Sequence, residues 1–309
     1  MQVGGSGRFG VWLALAVNRA RVAVLALLAV AAAWGSTFFL TKDLLTRMDV
    51  ADYLAVRFLI AAVALILVHP PAISKLSRLD RGRGVALGVT YGIAQLVQTE
   101  GLRHTSASVS GFVTGMYVVF TPLLAAVILR HRIGRWAWIA VGLATIGLGV
   151  LSLRGLSLGT GEILTLASAG LYALHIIGLG AWSTPSNAFG LSALQMVVIT
   201  AVCAIGAIPG GFSLPSGGGD WVRVIYMALV AGALALIVQT WAQAHLTPTR
   251  AAIAMTMEPV FASVFAVLFG ADQVTARLLI GGALVVSAMY LVELAPRRKI
   301  EAEVQHLGQ

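Results

Sequence analysis

Between residues 22 and 295 the chain is written as apolar runs of about twenty residues, parted by interruptions too short to fold by themselves. A helix of about twenty residues is roughly 30 Å long, the thickness of a bilayer's hydrocarbon core. Hydropathy places such runs at 22–41, 51–69, 84–103, 106–129, 135–153, 161–181, 190–209, 222–244, 249–270 and 276–295. Between them stand Lys42-Asp43, His69-Pro70-Pro71, Arg130-His131-Arg132, Ser183 to Asn187 and Pro215 to Gly219, all with loop chemistry. Of 309 residues 59% are hydrophobic and 11% charged, too apolar for a soluble domain to cover. The reading is an all-α integral membrane protein of ten transmembrane helices, with no soluble catalytic domain.

The formal charge of +9 would suggest nucleic acid in a soluble chain. Here no basic run interleaves with aromatics, and Lys/Arg at span ends serve topology instead. With the N-terminus inside, Arg8, Arg19, Arg21, Lys75, Arg78, Arg81, Arg83, Arg130, Arg132, Arg135, Arg250, Arg297, Arg298 and Lys299 fall on the cytoplasmic side. Lys42, Arg47, Arg103, Arg154, Arg223 and Arg277 fall outside. That bias places both termini in the cytoplasm, in the cytoplasmic (inner) membrane. Arg19 and Arg21 before an apolar run ending Ala31-Ala32-Ala33 also resemble a signal peptide, but the run continues to Leu40, long enough to span. The short apolar stretch 9–17 reads as a surface segment. Cys203, the single cysteine, lies in an apolar run and reads as packing.

Laid on itself at an offset of 141, the chain pairs Gln98-Thr99 with Gln239-Thr240, His104 with His245, Ser106 with Thr247, Met116 with Met257 and Val119-Phe120 with Val260-Phe261. Apolar matches are common in any membrane chain, whereas Gln, Thr and His matches in one register are not. The units are spans one to five (22–153) and six to ten (161–295), flanked by 1–21 and a cytoplasmic tail, 296–309. Five is odd, so the second copy enters the membrane from the opposite side, the architecture of carriers with a midplane site between repeats. Pro122 and Pro259 fall inside the fourth span of each unit and are expected to break their helices there.

These residues resemble the EamA branch of the drug/metabolite transporter superfamily. The likeness rests on Trp34-Gly35-Ser36-Thr37-Phe38, Arg57-Phe58, Gly101 to Ser108, Tyr117 to Leu123 and Glu258-Pro259-Val260-Phe261. It covers the chain from about 22 to 295. The resemblance implies a carrier of small organic metabolites, such as amino acids or related amphiphiles, with a cavity lined mainly by helices 1, 3, 4, 6, 8 and 9. The family often has an acidic residue after the fourth and ninth spans, where this sequence holds His131 and Asp272; it departs from the pattern at His131 and at Glu100.

Ionisable side chains within a span are costly and generally face a bundle interior or a wet cavity. Arg57 and Glu100 both fall in the outer third, where they either pair at a gate or reach the interface separately. Glu258 and His175 lie at similar depth from the cytoplasmic side. They either carry a proton in exchange for solute or, for Glu258, hold backbone donors beside Pro259. Trp34, Gln98, Thr99, Tyr117, Tyr172, His175, Gln239 and Trp241 are the cavity candidates, and Arg57, Glu100 and Glu258 the gating or coupling candidates. Gly88/Gly92 and Gly111/Gly115 have the spacing of close helix packing.

No HExxH, GxSxG or nucleotide-binding pattern occurs, and Asp49/Asp52 is the one close acidic pair, with Asp52 placed to cap span two. The sequence therefore points away from an enzyme, with no catalytic residue, metal or cofactor expected. A motif-free membrane enzyme or a channel is the alternative reading. The expected partners are a small-molecule substrate and the lipid bilayer, with no nucleic acid; a monomer is compatible with the sequence, which does not fix the oligomeric state.

Overall fold

The structure, a computed structural model, describes residues 6–128, 135–152, 159–243 and 254–294. Among them every regular element is helical. In chain order these are α1 (Ser6–Leu44), α2 (Val50–Val68), α3 (Arg78–His104), α4 (Ala107–Gly115), α5 (Tyr117–Ile128), α6 (Arg135–Ser152), α7 (Thr160–Trp182), α8 (Ala188–Ala207), α9 (Gly218–Ala228), α10 (Ala235–Gln243), α11 (Glu258–Leu268) and α12 (Ala276–Leu294). Among the described residues six stretches are long and apolar enough to cross a membrane: Arg21–Leu44, Val50–Val68, Ala107–Ile128, Thr160–Trp182, Ala188–Gly210 and Gly218–Ala242. Shorter apolar helices cover Trp138–Leu151, Glu258–Leu268 and Ala276–Leu291. The stretch 9–17, read from sequence as a separate surface segment, is instead continuous with α1, since one helix runs from Ser6. The tail 296–309 lies outside the described residues, as do His131 and His245.

Contacts at the loop ends sort the helix termini into two layers. At one end Lys42 Nζ donates to the carbonyls of Leu102, Arg103 and Thr105, the orphan acceptors at the C-terminus of α3, where a cation also meets the negative helix end. Thr105 Oγ1 donates to Glu162 in the first turn of α7 at 2.7 Å. Asp272, beyond α11, accepts the N–H of Ser108 in the first turn of α4 at 2.7 Å. Arg47 bridges Asp43 at 2.7 Å and Asp220 of α9 at 2.9 Å, and Arg223 contacts the same two carboxylates. At the other end His69 meets Phe189 edge-on and Arg83 lies over Trp182. So α1 ends at the layer where α7 begins: helices at corresponding places in the two repeats run in opposite directions. Asp52 is not a cap; it takes the N–H and hydroxyl of Ser213, pinning the loop before α9.

Small residues set the crossings. Gly84, Gly88 and Gly92, one turn apart on α3, face Leu194, Val198 and Val202, one turn apart on α8, so a Cβ at Gly88 would stand 2.7 Å from Val198. A Cβ at Gly35 would lie 2.7 Å from the backbone nitrogen of Ala262, so α1 and α11 touch backbone to backbone. Outward, the bundle presents Leu25, Leu59, Leu67, Ile146, Leu268 and Leu279, each at least half exposed, a surface suited to lipid rather than water. Cys203 is fully buried in the cluster that joins α2, α8 and α9.

The break expected at Pro122 is corrected, whereas the break expected at Pro259 falls at Thr256–Met257, just before it. α5 continues through Pro122, and Pro259 is the second residue of α11, where its missing N–H is an orphan anyway and its ring starts a helix. Both repeats are interrupted one position before these helices, at Met116 and Met257, which are register mates. A third interruption is a π turn over Leu229–Leu234 between α9 and α10. Gly35→Val should force α1 away from α11 and cost about 1–3 kcal/mol or more. Gly142→Ala, which meets nothing within 4 Å, should leave melting unchanged or raise it; thermal unfolding in detergent checks both.

Candidate functional site

Three helical stripes face one another. On α1 they are Trp34, Thr37, Phe38 and Thr41; on α3 Tyr91, Gln95, Gln98, Thr99 and Leu102; on α7 Tyr172, His175 and Ile176, all at i, i+3, i+4 spacing. With Arg57 of α2, Thr114 of α4, Tyr117 of α5, Gln239 of α10, Met255 and Glu258 they enclose a cavity of about 60 Å³. The lining comes in repeat mates. Thr114 and Met255, Tyr117 and Glu258, and Gln98 and Gln239 are equivalent in the register read from sequence. Trp34 and His175 are mates in the same register, and Thr37 and Phe38 follow Trp34 with the spacing at which His175 and Ile176 follow Tyr172.

The mates meet directly at the helix breaks. Tyr117 and Glu258 open α5 and α11, and the Tyr117 hydroxyl donates to Glu258 Oε2 at 2.9 Å. Glu258 is 6% exposed, so its carboxylate sits in the bundle interior and is held from the opposite repeat. Nearby, Gln98 joins three helices: its Nε2 donates to Thr114 Oγ1 at 2.9 Å, and its Oε1 accepts from Tyr172 at 2.8 Å. Thr99 is buried beside it on the cavity face of α3. A half-buried amide satisfied at both ends fixes three helices at once.

Arg57, 5% exposed, donates from Nε to the Met227 carbonyl at 3.2 Å and from Nη1 to Tyr53 at 3.1 Å. The Trp34 indole donates to the Ala231 carbonyl at 2.9 Å. Both carbonyls flank or lie in the π turn, whose altered register leaves acceptors for side chains to take. The gate pair Arg57–Glu100 does not form. Glu100 contacts His104 at 3.1 Å and Arg103 at 3.8 Å on its own helix, because it lies about 100° around α3 from Thr99 and off the lining stripe. Nor does Arg57 reach the interface.

His175 also lines the cavity, but it is not joined to Glu258. Its Nε2 donates to Gln195 at 2.7 Å, and its ring packs on Tyr91 with centroids 4.9 Å apart. Trp241 lies elsewhere, packed against Ala23, Leu27, Ala242 and Ala254. The Glu258 carboxylate meets Tyr117, not the backbone beside Pro259. Sequence reasoning missed Tyr91, which touches Phe58, Tyr172 and His175. It also missed Thr37, Phe38, Thr41, Gln95 and Thr114. The signal for Tyr91 and Gln95 was present, since both continue the Gln98 stripe at helical spacing.

The family model described as the EamA-like transporter family matches residues 21–153 and again 159–294. The chain belongs to the EamA-like transporter family. An "Uncharacterized transporter" of Archaeoglobus fulgidus (strain ATCC 49558 / DSM 4304 / JCM 9628 / NBRC 100126 / VC-16) is 29% identical over 271 residues, 87% of this chain and 85% of the relative. A solved crystal structure aligns with a TM-score of 0.64 over 88% of this chain and 96% of its own, at 17% identity, a likeness of fold. The EamA-like protein is thus a multi-pass membrane protein of transporter type, built from two copies of one helical unit.

Gln98→Leu should lower stability by about 1–3 kcal/mol, because the buried Thr114 and Tyr172 each lose a hydrogen-bond partner; the shift of the melting transition in detergent measures it.

Proposed function

We propose that this EamA-like protein is a secondary carrier of small organic solutes, an exporter or exchanger in the cytoplasmic membrane. In this reading the two repeats supply ten spans in inverted topology, both termini are cytoplasmic, and access alternates about a central site. The observation that carries it is a cavity lined by repeat-related pairs, so that each repeat offers the solute an equivalent wall. A rocking of one unit against the other then exposes the same site to either side. The ion pairs of Arg47 and Arg223 with Asp43 and Asp220 tie α1 to α9 at one end of this path.

The lining also supports a solute class. Arg57 and Glu258 place opposite charges on one cavity whose wall combines uncharged polar side chains with the aromatic rings of Trp34, Phe38, Tyr91, Tyr117 and Tyr172. A small amphoteric solute with some apolar surface, such as an amino acid, matches both signs and leaves neither charge facing hydrocarbon. With no nucleotide motif in the sequence, uphill movement draws on a solute or ion gradient. The partners in this reading are the solute and the bilayer.

In proteoliposomes, uptake of a 14C-labelled mixture of L-amino acids should saturate and be stimulated by the unlabelled mixture inside. Conductance in planar bilayers without saturation would replace the carrier with a channel. Glu258→Gln keeps an acceptor for Tyr117 but removes the charge; it should melt like the parent and lose at least about tenfold in flux, roughly 1.4 kcal/mol.

A further inference from the structure

Gln98 and Gln239 hold equivalent places in the repeats, yet only one is satisfied. The two partners of Gln98 are Thr114 and Tyr172. In the second repeat the counterpart of Thr114 is Met255, whose side chain carries no N–H or O–H. At the same offset the counterpart of Tyr172 is Ala31, which carries no side-chain donor, and Trp34, one turn on and lining the cavity, commits its single indole N–H to the Ala231 carbonyl of the π turn. Gln239 is left 2% exposed, lining the cavity, with Oε1 lacking any hydrogen-bond partner. The other buried polar side-chain atoms without partners among the described residues belong to Arg103, Ser108, Ser110 and Ser263, and none of these lines the cavity. An unpaired buried amide weakens a fold, and an apolar side chain of the same length would remove that cost.

We propose that Gln239 determines specificity: its carboxamide oxygen accepts a hydrogen bond from a primary ammonium or amine of the solute, while Glu258 on the same cavity balances the charge. The inference rests on the carrier reading and sharpens it, because it names the group that recognises the cationic end. The first repeat uses its glutamine to hold helices together, and the second keeps the same residue unpaired for the solute.

The test uses the full-length protein in detergent and in proteoliposomes, with Gln239→Met and Gln98→Met. Without solute, Gln239→Met should melt at or above the parent temperature, whereas Gln98→Met should melt lower. n-Butylamine at neutral pH, present as the ammonium, should raise the parent's melting temperature by at least about 2 °C. Sodium acetate should not, and Gln239→Met should lose the ammonium-induced rise. For the labelled amino-acid mixture, Gln239→Met should raise KM at least about tenfold with kcat less affected. A Gln239→Met protein that melts as low as Gln98→Met would make Gln239 a structural bond and overturn the proposal, as would an ammonium shift that survives the substitution or a parent stabilised by acetate alone. If the parent binds n-butylamine through Gln239 but moves none of the labelled mixture, the ammonium site stands and the carrier reading falls.

Discussion

The hydrogen bond from Tyr117 to Glu258 joins the two repeats where each has a broken helix. It links residues that are counterparts of one another, so it lies close to the relation that maps one repeat onto the other. Breaks at Met116 and Met257 open the helices there, and Gly111 and Gly35 let the neighbouring backbones approach Ala262. Without the breaks, a carboxylate at this depth would face hydrocarbon or packed side chains. With them, Glu258 has a hydroxyl donor from the opposite unit and a cavity in front of it.

Departure from symmetry gives the site its chemistry. Two copies of one unit would place the same groups on both walls, and a solute with distinct ends would then be read twice alike. Instead Arg57 comes from the first unit and Glu258 from the second, His175 stands where the first unit has Trp34, and Met255 where it has Thr114. The π turn between α9 and α10 is part of the same divergence. It turns carbonyls toward α1 and α2, takes the Trp34 N–H and one arm of Arg57, and leaves Gln239 without the donor that Gln98 enjoys.

Much of the architecture was legible because a bilayer demands long apolar runs, and runs of that kind survive any uncertainty about packing. The repeat was legible because polar matches such as Gln98 with Gln239 are rare inside membrane spans. Among the described residues six stretches have the length and apolarity expected of spans; α3 is long enough but carries Glu100 and Arg103 together with Gln95, Gln98 and Thr99, the three that line the cavity. Which face of α3 turns inward could not be read from those residues alone, so Glu100 was matched to Arg57 by depth although it lies off the stripe. The two prolines differ for a local reason: Pro259 starts a helix directly after the break at Thr256–Met257, while Pro122 is accommodated within α5 a turn and a half beyond the break at Met116. Trp241 and Trp34 look alike in sequence, and only the packing of α10 against α1 separates a wall of the cavity from filler.

The account stands or falls on the cavity between the repeats being the solute's path. Thr37→Cys in a Cys203→Ser background places one reactive thiol on its wall, and Leu59→Cys places one on the lipid-facing surface. The decisive measurement is flux of the labelled amino-acid mixture before and after a charged methanethiosulfonate reagent. The account predicts that Thr37→Cys loses flux on modification and is protected by the unlabelled mixture, while Leu59→Cys keeps it. Full flux through Thr37→Cys after proven modification, or equal sensitivity of both variants, would contradict it.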